Sequence, residues 1–166
     1  MEPTNGLQGE ILKETQEQVL AILGKKVQTL TVERLVFGIF YTGVKLNNGD
    51  GGLCFTPIKE IPEAVCCPSS ARVMPASGKL KGQPVTYFLQ EMFAASPMKR
   101  ALAIAVLNAL SSTCWRLQPP VDYQVKMGHD PLDEVVIPKD ARVVVVGALL
   151  PYLRMLKKNR QPYTIL

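Results

Sequence analysis

The sequence predicts an α+β protein: a domain of antiparallel strands and helices, then the first β-α-β of an α/β unit. Two apolar runs, Leu35 to Leu46 and Leu53 to Thr56, flank a turn of Asn, Asp and Gly and predict an antiparallel hairpin. A helix apolar almost all round, Ser96 to Thr113, supplies the layer that covers such a sheet. Further on, the β-branched run Arg142 to Val146 leads through Gly147 into a helix, the pattern of a buried parallel strand.

From the start of the chain, Leu7 to Leu23 reads as an amphipathic helix. Ile11, Leu12, Thr15, Val19, Leu20, Ile22 and Leu23 recur at three- and four-residue spacing, and Gly24 is placed to stop it. Val27 to Glu33 reads as a first strand and Leu35 to Leu46 as a long second one, with a bulge or a close backbone approach at Gly38. Asn47, Asn48, Gly49 and Asp50 tolerate positive φ and fold the chain back. Alternation sets Tyr41, Gly43, Lys45 and Asn47 on one face, and Phe40, Thr42, Val44 and Leu46 on the other. Ile58 to Cys67 reads as a short helix or irregular turn, and Pro68 to Pro84 as a loop punctuated by proline, serine and glycine.

Val85 to Ala95 reads as a helix with Val85, Phe88, Leu89 and Met92 on one face. In the next helix Ser96 takes the N-cap and Pro97 the first helical position. Gln118-Pro119-Pro120 breaks the pattern and divides the chain into a domain over 1–118 and a linker with a β-α-β segment over 119–166. In that segment a helix over Ala148–Lys158 leads to a strand over Pro162–Leu166. Two parallel strands do not make a covered sheet by themselves. The chain is therefore expected to be part of a longer protein, or to borrow strands from another chain.

The 166 residues are 47% hydrophobic and 20% charged, the make-up of a folded chain. Met1 to Gly9 is polar and no segment reaches transmembrane length, so a soluble, cytoplasmic protein without a membrane partner is expected. Net charge is +5, all of it from Lys139 onward, where six basic residues stand against one acid. Arg154, Lys157, Lys158 and Arg160 gather toward the end of one helix, where the helix dipole and solvent account for them. Aromatic residues do not interleave with them, so nucleic acid is not an expected partner. Cys54, Cys66, Cys67 and Cys114 are expected as reduced thiols.

Lys45 lies inside a strand, where it either faces water or lends a cation to a site. With Asn47, Asn48 and Asp50 it makes a cluster able to hold an anionic group, Asp50 balancing charge or ligating a metal. Turn formation is the competing role of the latter three. Asn108 sits mid-helix in an apolar run, followed by Ser111, Ser112 and Trp115 along one stripe. It either ties down neighbouring backbone or faces a cleft.

Gly147 closes a strand and opens a helix, where backbone N–H groups meet small anions, and Pro151 falls in the first helical turn. Gly-Ala-Leu-Leu-Pro lacks the G-x-G-x-x-G fingerprint, which argues against NAD or FAD. Cys66 and Cys67 are vicinal soft ligands and, with His129, are the candidates for a divalent or soft heavy metal, although no C-x-x-C accompanies them. His129 beside Asp130 is also a candidate acid–base pair. No Ser–His–Asp order, nucleophile elbow, P-loop or pair of catalytic carboxylates appears, which leaves open whether the protein is an enzyme.

The run Thr42 to Pro57, TGVKLNNGDGGLCFTP, resembles the opening signature of the family labelled "putative heavy-metal chelation". Lys99 to Ser111, Asp130 to Asp133, and Val143 to Gly147 with Pro151 agree with it in order. The resemblance implies an enolase N-terminal-like domain followed by a Rossmann-like domain, truncated here, with the site in a cleft between them. It implies that Lys45, Asn47 and Asn108 come from the first domain, and Gly147 with Pro151 from the second. The implied partner is a small molecule or metal, any metal being held directly or through a chelating molecule. Two alternatives stand beside it. One is an enzyme of small-molecule metabolism using the same cleft, with Lys45 as an electrostatic or acid–base group. The other is an interaction module that completes its sheet with another chain, as in a homo-oligomer.

Overall fold

The computed structural model describes residues 5–60, 75–76, 78–119, 121–122, 126–130, 132 and 134–166. Helix α1, Asn5–Leu23, buries Val19 and Leu23 and ends at Gly24, whose φ of +52° is the left-handed stop expected of it. The chain continues as a 3-10 turn over Gly24–Thr29, so the strand expected over Val27 to Glu33 does not form there. Local bonds decide the matter. Thr29 Oγ1 donates to Lys26 O at 2.8 Å and Leu30 N to Val27 O at 3.3 Å, holding the segment in a turn despite its β-branched residues.

The run expected as one long strand, Leu35 to Leu46, is two strands: β1, Val32–Phe37, and β2, Tyr41–Leu46, antiparallel to each other. They join at Gly38, Ile39 and Phe40, with Gly38 N donating to Tyr41 O at 2.9 Å. A Cβ on Gly38 would lie 2.8 Å from that same oxygen, so the reversal requires glycine. β2 then turns through Asn47 to Asp50, with Gly49 at φ +92°, into β3, Gly51–Phe55, which starts two residues earlier than expected. The sheet order is β1-β2-β3. Alternation along β2 is as expected, with Thr42, Val44 and Leu46 buried and Tyr41 and Lys45 exposed. Buried Thr42 shares a hydrogen bond with Thr56 at 3.0 Å.

In β1 the alternation breaks. Val32 pairs with Leu46 but Arg34 with Lys45, so Glu33 is an extra residue, a bulge. Glu33 and Arg34 consequently both lie on the exposed side, while Val32 and Leu35 pack on the core.

A 3-10 turn over Ile58–Glu60 follows β3, and Cys66 and Cys67 lie outside the described residues. Helix α2 spans Val85–Leu89, shorter than the expected Val85 to Ala95. The next four residues turn instead, yet Val85, Phe88, Leu89 and Met92 are all buried, as the spacing required. Just before α2, Gly82–Val85 straps onto the start of β1. Gly82 N donates to Val32 O at 2.7 Å, Val32 N to Gln83 O at 3.0 Å, and Val85 N to Leu30 O at 3.1 Å. Helix α3, Pro97–Leu117, covers the inner face of the sheet with Leu102, Ala105, Val106, Ala109 and Leu110. Ser96 takes the N-cap position with extended backbone, but its hydroxyl makes no capping bond. Arg100 instead closes the approach, donating from Nη1 to Ala94 O and Ala95 O at 2.9 Å each.

The chain divides into two units, Met1–Val121 and Asp122–Leu166. In the second, β4 (Val143–Val145) pairs in parallel with β5 (Tyr163–Ile165), and α4 (Leu150–Lys158) connects them. Val145 and Leu156 are its buried apolar centre, and Gln161 donates to Ala141 O at 2.9 Å. Helix and antiparallel sheet together make the whole an α+β protein. Among the described residues, no helix is long and apolar enough to cross a membrane.

Candidate functional site

Three of the candidate ligand residues are committed to the hairpin. Asn47 Oδ1 accepts from Thr31 N at 3.1 Å and its Nδ2 donates to Thr29 O at 3.0 Å, bracing the turn against the segment before β1. Asn48 Nδ2 donates to Asp50 Oδ2 and Thr113 Oγ1, both at 3.0 Å, and its Oδ1 accepts from Asp50 N at 3.1 Å. Asp50 accepts from Thr113 Oγ1 at 2.7 Å and from Arg116 Nε and Nη2 at 3.2 and 2.8 Å. The Arg116 bonds above all, against the opposing effect of burial, hold its carboxyl below the usual carboxylate range. With its oxygens so occupied, Asp50 fastens the turn to α3 and offers little to a metal.

Lys45 and Asn108 behave differently, because both line one shallow, open depression of about 650 Å³. Lys45 Nζ lies 3.2 Å from Glu33, in a pair about half exposed. Asn108 Nδ2 donates to Leu53 O at 2.7 Å, clamping α3 to the edge strand β3. The backbone-tying role weighed for Asn108 is thus present, and the residue also borders the hollow. The floor is glycine: Gly43, Gly51 and Gly52. A Cβ on Gly52 would fall inside the backbone of Ala105 and Ala109, and 2.9 Å from the carbonyl carbon of Asn108. β3 therefore lies directly against α3. Sequence reading missed Arg34, Val36 and Leu53 in this lining, because the bulge that sets the first of them shows only in the register.

Ser111 Oγ, on the stripe below Asn108, turns back on its own helix and donates to Leu107 O at 2.9 Å. A second hollow, of about 670 Å³, runs beside β1 between Glu33–Phe37 and Gly78, Leu80 and Lys81, and contains none of the residues singled out from the sequence.

Among the described residues, no three His, Cys, Asp or Glu side chains come together to hold a metal ion. Cys54 and Cys114 are free, and burial pushes both thiols up, keeping them protonated and poor as ligands at neutral pH. His129 Nδ1 lies 3.7 Å from Glu134, not against Asp130, and Glu134 is also bonded to Lys126 at 2.7 Å. Asp130 accepts instead from Leu132 N at 2.9 Å and from the Tyr152 hydroxyl at 3.3 Å. Gly147 has φ +83° where β4 meets α4, but its N–H donates to Leu166 O at 2.9 Å and is not offered to an anion. Pro151 falls in the first turn of α4, as expected.

Among the solved structures that resemble the chain are two of proteins of unknown function from the DUF364 family. That from Pyrococcus horikoshii aligns with a TM-score of 0.53 at 18% identity, covering 93% of this chain and 54% of its own. That from Desulfitobacterium hafniense DCB-2 aligns with a TM-score of 0.50 at 19% identity, covering 92% of this chain and 56% of its own. The chain thus spans about half the length of each, and at these identities the likeness speaks for the fold alone. No match was found among the curated proteins. A family model described as "Putative heavy-metal chelation" matches residues 20–111, from the end of α1 through the whole sheet and most of α3. That span is more than half of the 166 residues and includes every residue lining the glycine-floored depression, so the chain belongs to the family described as "putative heavy-metal chelation".

Proposed function

We propose that the protein binds a small anionic molecule, or a metal carried by a chelating one, in the glycine-floored depression of the first unit. One observation carries this reading. Lys45 and Asn108, far apart in sequence, line a single hollow together with Arg34. Cations and an amide at the rim suit an oxyanion. Direct coordination is a poorer fit, because no set of metal-ligating side chains converges among the described residues. A chelating anion reconciles that chemistry with the family's description.

The test is a thermal-shift panel on reduced protein, with small anions, metal–chelate complexes and free divalent or soft metals in separate wells. Anions or chelates are expected to raise Tm, and Lys45→Ala to weaken them about tenfold. The variant's own stability should stay within about 0.5 kcal/mol of the parent, since exposed ion pairs contribute little. A shift with free metal alone that disappears in Cys66→Ser/Cys67→Ser would replace this reading with direct chelation.

A further inference from the structure

The register of the sheet narrows the class of ligand, provided that the depression binds one, as proposed. Counted from buried Val32, simple alternation would send Arg34 into the core. The extra residue at Glu33 resets the count and turns Arg34 onto the exposed face, in one cross-strand row with Lys45 and Gly51. Glu33 then takes the Lys45 ammonium at 3.2 Å. The Arg34 side chain has no hydrogen-bond or ion-pair partner among the described residues. The bulge thus sets at one end of the depression a guanidinium that is uncommitted among the described residues.

The next row on the same face is Val36, Gly43 and Leu53, two apolar side chains with bare backbone between them. Beyond it stand Tyr41 and Phe55, directly opposite each other. Val36, Tyr41, Leu53 and Phe55 are each 56–60% exposed, on a sheet face that elsewhere would be polar. Successive rows lie roughly 7 Å apart, so about 13 Å separates the guanidinium row from the aromatic row. The face is graded: cation, flat apolar slot, rings. An arginine fork binds carboxylate or phosphate by two parallel bonds, whereas an apolar slot floored by glycine admits a flat body that a side chain would exclude.

We infer that the site takes a planar, apolar-bodied anion, with its oxyanion on Arg34 and its ring over Gly43 between Val36 and Leu53. Arg34 is then the residue that recognises charge, and Gly43 the one that admits the ring.

Isothermal titration on the full chain tests this with three probes: pyridine-2,6-dicarboxylate, which is flat and anionic; succinate, anionic without a ring; and pyridine, a ring without charge. The dicarboxylate should bind at least tenfold more tightly than the other two. Arg34→Gln should weaken it at least tenfold. Gly43→Ala should do the same while folding normally, since the added methyl meets only the movable Leu53 Cδ2 at 3.2 Å. Succinate binding as tightly as the aromatic dicarboxylate overturns the inference, as does full affinity in Arg34→Gln. Binding lost in Lys45→Ala but indifferent to Arg34 and Gly43 overturns it and leaves the ligand-binding reading standing. If none of the three probes binds while a metal–chelate in the thermal-shift panel does, the inference again fails alone. If nothing in either experiment binds, both fall.

Discussion

Gly52→Ala is expected to lower the unfolding free energy of the first unit by about 3–4 kcal/mol, a large part of an ordinary domain's stability. The added Cβ would meet the backbone of Ala105, Asn108 and Ala109, not a side chain that could swing away. Relief would require β3 to lift from α3, and the Asn108–Leu53 bond, 2.7 Å long, would go with it. The smaller loss of chain entropy for alanine on folding, worth about 0.4–1 kcal/mol, offsets only part of this. Urea unfolding followed by far-UV circular dichroism is the measurement, with Gly43→Ala in the same sheet as the contrast. A Gly52→Ala midpoint equal to the parent's would mean that β3 does not rest on α3 as described.

Asp50→Ala is expected to cost about 2–3 kcal/mol, because it unties the turn from both Thr113 and Arg116 and leaves Asn48 with fewer partners. Its pH dependence gives a second handle. The folded-state carboxyl titrates below its ordinary range, held there chiefly by Arg116. A depressed carboxyl adds stability that is complete above its unfolded value, near pH 4, and is lost as pH falls through the folded value. Parent and Asp50→Asn should therefore differ most at neutral pH and converge in acid. Parallel stability curves from pH 7 down to pH 2 would show that the network contributes no such linkage.

Much of this fold was legible because one local signal sufficed. The Asn/Asp/Gly turn could only reverse the chain, and alternation along Thr42, Val44 and Leu46 matches the buried face of β2. The apolar α3 is central, as its composition required. The failures arose where local and distant signals competed. The Leu35–Leu46 run looks continuous because Ile39 and Phe40, although apolar, sit exposed in a turn that Gly38 permits. Val27 prefers strands by type, yet short-range bonds won.

Of the candidates read from sequence, Lys45 and Asn108 meet in one lining, and each is a polar residue in an apolar run. Asn47, Asn48 and Asp50 are turn and helix fasteners, the role weighed against ligand binding. Arg34 could not be found from sequence at all. Nothing in the string Val32-Glu33-Arg34 marks a bulge, which exists only by comparison with the partner strand.

The strap over Gly82–Val85 has a kinetic meaning. The β2–β3 hairpin closes over about a dozen residues, whereas the strap joins Leu30–Val32 to a segment about fifty residues later. Closure entropy grows with the logarithm of ring size, so sealing the strap costs about 1 kcal/mol more than closing the hairpin. By that measure the strap is expected to close after the hairpin and to open before it. Amide hydrogen exchange at Val32 and Val85 is then expected to run faster than along the β2–β3 ladder.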